Sequence, residues 1–202
     1  MLRRARKVLA LGVLMAIVMP SAALAATQNV TIIDFAYVPK KLSVHIGDTV
    51  VWTNTGNADH TSSSNDSLRW WYSPPMSAGQ SFSFAITAAG TFPYHCIFHP
   101  TIMNATVKAK DQVRPGQGPV GTVFTVTVAT VTAPTGFVYD VQMQVPGGEF
   151  QDWMLGVTTV SVQFDSTGQP TGQYKFRSRL HRLTPVDGAS GYSPASIVTV
   201  TA

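Results

Sequence analysis

Residues 91–103 read Thr-Phe-Pro-Tyr-His-Cys-Ile-Phe-His-Pro-Thr-Ile-Met, and this stretch decides how the first half of the chain is interpreted. Its first six residues are rich in aromatic side chains and predict a β-strand, in which successive side chains point to opposite faces. A short loop follows and carries Cys96, His99 and Met103. Cys96 is the only cysteine of the chain, so it cannot form an intramolecular disulfide. One loop therefore groups a thiol, an imidazole and a thioether.

A second imidazole comes from His60, in a separate loop that is long enough to turn back toward Cys96. One thiolate, two imidazoles and a thioether suit a soft, redox-active metal. Trigonal coordination by two His and one Cys, with a weak axial Met, is the arrangement of blue-copper electron-transfer sites. From the residues alone the alternatives are a buried structural thiol, surface histidines and an apolar strand residue at Met103.

Three motifs surround these residues: Val44-His-Ile-Gly-Asp-Thr-Val-Val-Trp-Thr-Asn54 with His60-Thr61, Ala78-Gly-Gln-Ser-Phe-Ser-Phe84, and Ala89-Gly-Thr-Phe-Pro-Tyr-His-Cys96 with His99-Pro100. Over residues 28–110 they resemble small cupredoxins of the plastocyanin, amicyanin and pseudoazurin type. The resemblance implies a Greek-key β-sandwich with one mononuclear type 1 copper. It also implies the ligands His60, Cys96, His99 and Met103. The chain departs from the family in one spacing, because Met103 follows His99 by four residues, whereas amicyanin-like loops use three and plastocyanin-like loops five.

His95 directly precedes Cys96, where copper nitrite reductases place a ligand of a second, catalytic copper. Position 97 is Ile, however, and the chain contains no His-x-His pair. We therefore expect His95 to be a half-buried structural imidazole and His45 to face solvent. The aromatic cluster Trp70-Trp71-Tyr72 has two interpretations, as packing over one end of the sandwich or as an exposed docking surface.

Alternating apolar and polar residues predict two successive sets of short strands, which is typical of two β-sandwiches. The predicted strands are 29–33, 41–46, 49–53, 81–86 and 91–96 in the first set, and 122–131, 138–145, 157–164, 174–180 and 195–200 in the second. Residues 111–120, rich in Pro, Gly and polar side chains, are interpreted as a linker. The predicted organisation is a signal peptide at 1–25, a copper domain at 26–110, the linker, and a second domain at 121–202.

The second domain shows no recognisable chemistry, with no cysteine and one histidine. The stretches 137–144, 151–153, 172–179 and 190–200 resemble a fibronectin type III domain. That resemblance implies an immunoglobulin-like sandwich with Trp153 and Tyr174 in its core, used as a spacer or as a docking surface for a protein or surface ligand. Lys175, Arg177 and Arg179 alternate along one strand, and we expect them to form a solvated face.

The N-terminus predicts export. Arg3, Arg4, Arg6 and Lys7 precede an apolar run at 8–19 and the small-residue stretch Ala23-Leu24-Ala25, which is the order of a cleaved secretory signal. An uncleaved anchor is the alternative. With the signal removed, ten basic residues remain against ten acids, so no basic stripe for nucleic acid and no membrane span are expected.

The sequence therefore predicts a periplasmic or extracellular, cell-surface electron carrier, not an enzyme. It would pass single electrons between redox partners that dock transiently near His99. The alternative function is copper storage, delivery or adhesion without electron transfer.

Overall fold

The computed structural model describes residues 25–64, 67–184 and 187–202. In these residues all regular secondary structure is β, with 17 strands and no helix. No helix that could span a bilayer is found in that part of the chain, and the predicted signal at 1–25 falls almost wholly outside it. The predicted all-β fold with two sandwiches is confirmed.

Eight strands build the first sandwich: β1 Thr27–Ile33, β2 Ala36–Val38, β3 Lys41–His45, β4 Thr49–Asn54, β5 Ser63–Ser64, β6 Ser81–Ala85, β7 Gly90–His95 and β8 Asn104–Lys110. They form two four-stranded sheets, in the orders β2-β1-β4-β6 and β3-β8-β7-β5. β1 runs parallel to β4, and β3 runs parallel to β8. The two sheets enclose a core that includes the fully buried Trp52, Phe92 and Tyr94.

Strand alternation positions the first candidate ligand. Along β7 the even-numbered residues Phe92 and Tyr94 are buried and the odd-numbered ones are half-buried. Cys96 follows this parity and is fully buried at the end of the sandwich, whereas His95 is half-buried. The side chain of Cys96 is therefore turned toward the core at the strand's carboxyl end.

Nine strands build the second sandwich: β9 Gln112–Arg114, β10 Gln117–Pro119, β11 Val123–Thr127, β12 Phe137–Gln144, β13 Phe150–Val157, β14 Ser161–Asp165, β15 Gly172–Arg182, β16 Gly188–Ala189 and β17 Ser196–Thr201. They form sheets in the orders β14-β11-β9 and β10-β17-β15-β12-β13, and β16 adds to β15. The predicted core role of Tyr174 is confirmed, because it is fully buried, and Trp153 packs against the same core.

The structure differs from the sequence interpretation at several places. No strand was predicted at β2 or over most of β13, and the predicted strand 157–164 runs from the end of β13 across a turn into β14. The segment 111–120, interpreted as a linker, carries β9 and β10, which pair with β11 and β17. The prediction of a solvated cationic face is wrong for two residues. The guanidinium of Arg177 lies 4.0 Å over the ring of Phe150, and Arg179 Nη2 lies 2.9 Å from the buried carboxylate of Asp140.

The two sandwiches contact each other at the start of β7. Thr91 and Gly191 exchange two backbone hydrogen bonds of 2.8 Å, and Thr91 Oγ1 donates to the Tyr192 carbonyl at 2.8 Å. Ala89 N also donates to Val128 O at 2.8 Å. Thr91 precedes Cys96 by five residues, about 16 Å along an extended strand. The second sandwich therefore packs on the first at a distance from the Cys96 end.

Candidate metal centre

The loop that carries His60 is held by the buried side chain of Asn54, the last residue of β4. Its Nδ2 donates to the carbonyls of Ala58 at 2.8 Å and Met76 at 2.7 Å, and its Oδ1 accepts from Gly56 N at 2.9 Å. His60 and Met76 add a reciprocal pair of backbone hydrogen bonds, 3.1 and 2.8 Å long. These hydrogen bonds fix the position of the His60 imidazole.

The loop between β7 and β8 closes on itself through its own backbone. Cys96 N donates to Met103 O at 3.1 Å, and the backbone N–H groups of Met103 and Ile102 both donate to His99 O. His99 N in turn donates to Cys96 O at 3.1 Å. The three predicted donors of this segment therefore sit on one tight, internally bonded turn, and Met103 within it is almost fully buried.

The two loops bring three donor atoms together. Cys96 Sγ lies 3.7 Å from His60 Nδ1 and 3.7 Å from His99 Nδ1, and all three atoms lie within 4.8 Å of one another. Metal–sulfur and metal–nitrogen bonds of about 2.3 and about 2.0 Å, opened at about 120°, would set sulfur and nitrogen about 3.7 Å apart. Among the described residues this is the one group of three or more His, Cys, Asp and Glu side chains so arranged.

Thr61 joins the two loops next to the thiol. Its N–H points to Cys96 Sγ at 3.4 Å, and its Oγ1 accepts from Ile97 N at 2.9 Å. The Thr61 carbonyl accepts from the hydroxyl of the buried Tyr37. Burial raises the pKa of Tyr37, and the nearby Cys96 adds to the effect, so the phenol stays protonated and keeps donating. The N–H at the sulfur stabilises a thiolate.

Asp34 stands behind His60. Its Oδ1 lies 3.5 Å from His60 Nε2, which is buried and has no hydrogen-bond partner in the described residues. The backbone N–H groups of Ala58 and Asn57 donate to the Asp34 carboxylate, at 3.1 and 2.9 Å, and hold its pKa below the usual value. With Nδ1 turned toward Cys96 and Nε2 facing a carboxylate, the ring orientation is the one expected of a metal-bound imidazole.

Phe35 is a site residue that sequence reasoning missed. It sits in the turn between β1 and β2 with a positive φ of 66°, which is rare for a bulky residue. Its ring meets that of His99 edge-on at 4.9 Å and that of His60 at 6.1 Å, yet half of the side chain remains exposed. The only sequence signal for this role was a large aromatic residue just after the predicted strand 29–33.

The solvent side of the site is apolar. Besides Phe35, three large hydrophobic residues of the loop that carries His99 are exposed, Ile97, Phe98 and Ile102, and Ile33 is exposed at the end of β1. His99 is half-buried, whereas His60 and Cys96 are fully buried. His99 is therefore the donor residue through which a partner molecule can approach the site from solvent.

The other predicted residues lie where expected. His45 is solvent-facing, with 78% of its side chain exposed. His95 is half-buried on β7, pairs across the sheet with Ser63, and takes no part in the cluster. Trp70 and Trp71 pack on the core aromatic rings of Phe84 and Phe92, which confirms the packing interpretation for those two.

Comparisons with known proteins agree with this geometry. A model of the cupredoxin-like domain matches residues 7–109, half of the chain. Amicyanin from Paracoccus denitrificans is 31% identical over 97 residues, which cover 44% of this chain and 72% of amicyanin. The chain belongs to the cupredoxin family.

Solved cupredoxin structures are also similar. A purple cupredoxin from Nitrosopumilus maritimus is 27% identical, with a TM-score of 0.38, and the match covers 40% of this chain and 97% of the other. An oxidised methionine-to-leucine mutant of amicyanin is 31% identical, with a TM-score of 0.38, and the match covers 40% and 79%. Family membership makes this a copper protein of the electron-transfer type, and the His60, Cys96 and His99 cluster fits a type 1 copper site.

Proposed function

We propose that this cupredoxin is an exported carrier of single electrons, with one type 1 copper held by His60, Cys96, His99 and Met103. The convergence of Cys96 Sγ on the Nδ1 atoms of His60 and His99, each at 3.7 Å, carries the proposal. When bound, copper supplies a one-electron couple between Cu(II) and Cu(I).

Each residue has a separate task. Cys96 supplies the thiolate, stabilised by the N–H of Thr61 at 3.4 Å. His60 and His99 present Nδ1 from two loops whose backbone bonds are already formed, so little rearrangement is needed when the charge of the site changes. Met103, buried four residues after His99 on the same turn, would add a thioether donor to the copper.

A redox partner would dock over His99, because the other donors are buried. The exposed apolar side chains of Phe35, Ile97, Phe98 and Ile102 surround this approach and exclude water when covered. We propose transient contact here, of the small size typical of redox encounters. The protein transforms no substrate of its own in this proposal.

The proposal extends to the rest of the chain. Residues 1–25 direct export to the periplasm or cell surface and are removed. The domain at 121–202 is a fibronectin type III-like spacer or docking module. The fibronectin type III-like assignment is supported by the arrangement of this region in two sheets. One sheet contains β14, β11 and β9, and the other contains β10, β17, β15, β12 and β13.

The test uses residues 26–202 loaded with copper. An intense visible thiolate-to-copper band and reversible one-electron reduction are expected. Cys96→Ala should abolish the band, and Met103→Leu should retain it while raising the reduction potential, because Cu(II) loses a donor. His95→Gln is the matched control, since it changes the histidine next to Cys96 and should leave the spectrum unaltered.

A colourless protein that holds only Cu(I), or a band that persists in Cys96→Ala, would contradict the electron-carrier proposal. The first result would favour the alternative function in copper storage or delivery. Electron exchange with an added redox protein, compared with copper transfer to a chelator, separates the two functions directly.

A further inference from the structure

Two adjoining cavities lie along the junction of the two sandwiches, away from the copper site. Their volumes are about 360 and 260 Å³, and both are lined by His45 and Lys110. The first sandwich contributes the ends of β3 and β8, and the second contributes Pro194, Ser196 and Ile197. Together we call them the junction cavity.

Strand register gathers positive charge in this cavity. β3 and β8 are parallel, with His45 paired to Lys110 and Ser43 to Lys108. Lys108 and Lys110 are two residues apart on β8, so their side chains leave the same face about 6.6 Å from each other. Arg114, at the end of β9, adds a fourth basic side chain to the lining.

These cations are not neutralised by the protein. Within the described residues, no carboxylate oxygen lies within 4 Å of the charged groups of Lys108, Lys110 or Arg114. Asp48 lies 3.8 Å from His45, but it is buried and already accepts the backbone N–H groups of Ala26 and His45. Like charges held in one cavity repel each other unless a counter-charge occupies it.

The remaining acid of the cavity is Asp111, only 2% exposed, with an Oδ1 that lacks a hydrogen-bond partner. Burial raises its pKa to about 7, against the opposing effects of Ser196, Ser178 and Lys110, so near neutrality it carries only part of a negative charge. It does not cancel the surrounding cations. In its protonated form it offers a further donor to a bound anion.

We propose that the junction cavity binds a small multivalent oxyanion, with carboxylate or phosphate groups, at Lys110. Lys110 lines both parts of the cavity, Arg114 adds a positive charge in the larger part, and Lys108 adds one in the smaller part. The volume suits a small molecule and not a polymer. Ser43 and Gln112, which also line the cavity, add neutral donors. Because residues of both sandwiches form the walls, the bound anion fixes the two domains against each other.

The test measures binding of citrate and of inorganic pyrophosphate to residues 26–202 by isothermal titration calorimetry, with ionic strength held constant by chloride. Saturable binding with one anion per chain is expected. The double variant Lys110→Gln with Arg114→Gln should weaken it by about tenfold or more, the usual scale for a lost charge-assisted bond. Lys40→Gln is the matched control, because Lys40 is an exposed lysine of the same domain that lines a different cavity.

The two probes distinguish the sources of the oxyanion. Tighter binding of citrate identifies a polycarboxylate ligand, and tighter binding of pyrophosphate identifies a phosphorylated one.

Two results would overturn the proposal. One is a heat of binding that does not saturate when either anion reaches about 10 mM, because such weak affinity reflects only general attraction between ions. The other is binding that is equal in the double variant and in Lys40→Gln. The visible spectrum of the copper-loaded double variant should match that of the parent, which shows that its fold is intact and keeps this test separate from that of electron transfer.

Discussion

At the scale of single residues, Phe35 is the side chain that covers the exposed edge of the candidate copper site. Its ring lies 4.9 Å from that of His99, and its backbone adopts a left-handed conformation to place it there. We expect Phe35→Ala to lower the reduction potential by tens of millivolts, because water reaching His99 stabilises the more highly charged Cu(II) state. Cyclic voltammetry of the copper-loaded protein measures the shift.

Phe98→Ala is the control for that prediction. Phe98 is exposed to a similar extent and belongs to the ligand loop, but no ring contact with a histidine is found for it in the described residues. A potential that shifts equally in both variants would mean that general loss of apolar surface, and not the Phe35–His99 contact, sets the effect.

Asp111 is the residue whose titration should affect stability most clearly. Burial raises its pKa from 3.8 to about 7, so between these values the folded protein holds a proton that the unfolded chain has released. The stability that this proton contributes is therefore lost as pH rises, by up to about 1.4 kcal/mol per pH unit, from about pH 4 to about pH 7.

We expect Asp111→Asn to remove this slope and to be more stable than the parent above pH 7, as measured by urea unfolding from pH 4 to pH 8. Glu149→Gln, which changes an exposed carboxylate, should keep the parental slope. Parallel curves for Asp111→Asn and the parent would show that Asp111 does not titrate in this range.

At the scale of elements, the site depends on two loops held together by Thr61. The fully buried Thr61 accepts the Ile97 N–H at 2.9 Å through Oγ1. Thr61→Val keeps the shape but removes the acceptor, so we expect a loss of about 1–2 kcal/mol in unfolding free energy. Thr61→Ser retains the hydroxyl and should lose less. Urea unfolding of the metal-free proteins compares them, and equal losses would exclude the hydrogen bond as the cause.

The elements also show what the sequence could predict. Strict alternation of apolar and polar residues made β4 and β7 recognisable. The alternation of β7 continues to Cys96, so the end of this strand could be located and three of the four candidate ligands could be placed on the turn that follows it. The short strands β2, β9 and β10 were missed, since each has three residues and no room for a periodic pattern. Phe35 was missed for a different reason, because its role comes from a turn conformation and from a contact with His99, which is distant in the sequence.

The strand pairing of residues 111–120 could not be predicted from the sequence either. Composition made 111–120 look like a linker, because Pro and Gly are frequent in linkers. Its backbone groups instead pair with β11 (Val123–Thr127), which follows closely, and with β17 (Ser196–Thr201), the last strand. Such pairing is a tertiary effect that local sequence does not encode.

At the scale of the whole molecule, the two sandwiches are joined through backbone hydrogen bonds at the start of the strand that leads to Cys96. Gly191 N donates to Thr91 O, and Thr91 N donates to Gly191 O, both at 2.8 Å. A bond between backbone groups of different domains couples their unfolding, because opening one domain leaves the partner groups of the other unsatisfied.

We expect Gly191→Pro, which removes the donor, to uncouple the domains. Calorimetry of the parent should show one cooperative transition, and the variant should show two, with a loss of about 1–3 kcal/mol for the broken contact. Gly191→Ala keeps the N–H and should remain a single transition, shifted by mild crowding against Thr91 Cβ. The copper spectrum should be unchanged in both variants, since the junction is about 16 Å from Cys96 along β7. A single transition in Gly191→Pro would instead show that the remaining contacts of the junction suffice to couple the domains, among them Ala89 N to Val128 O and Thr91 Oγ1 to Tyr192 O.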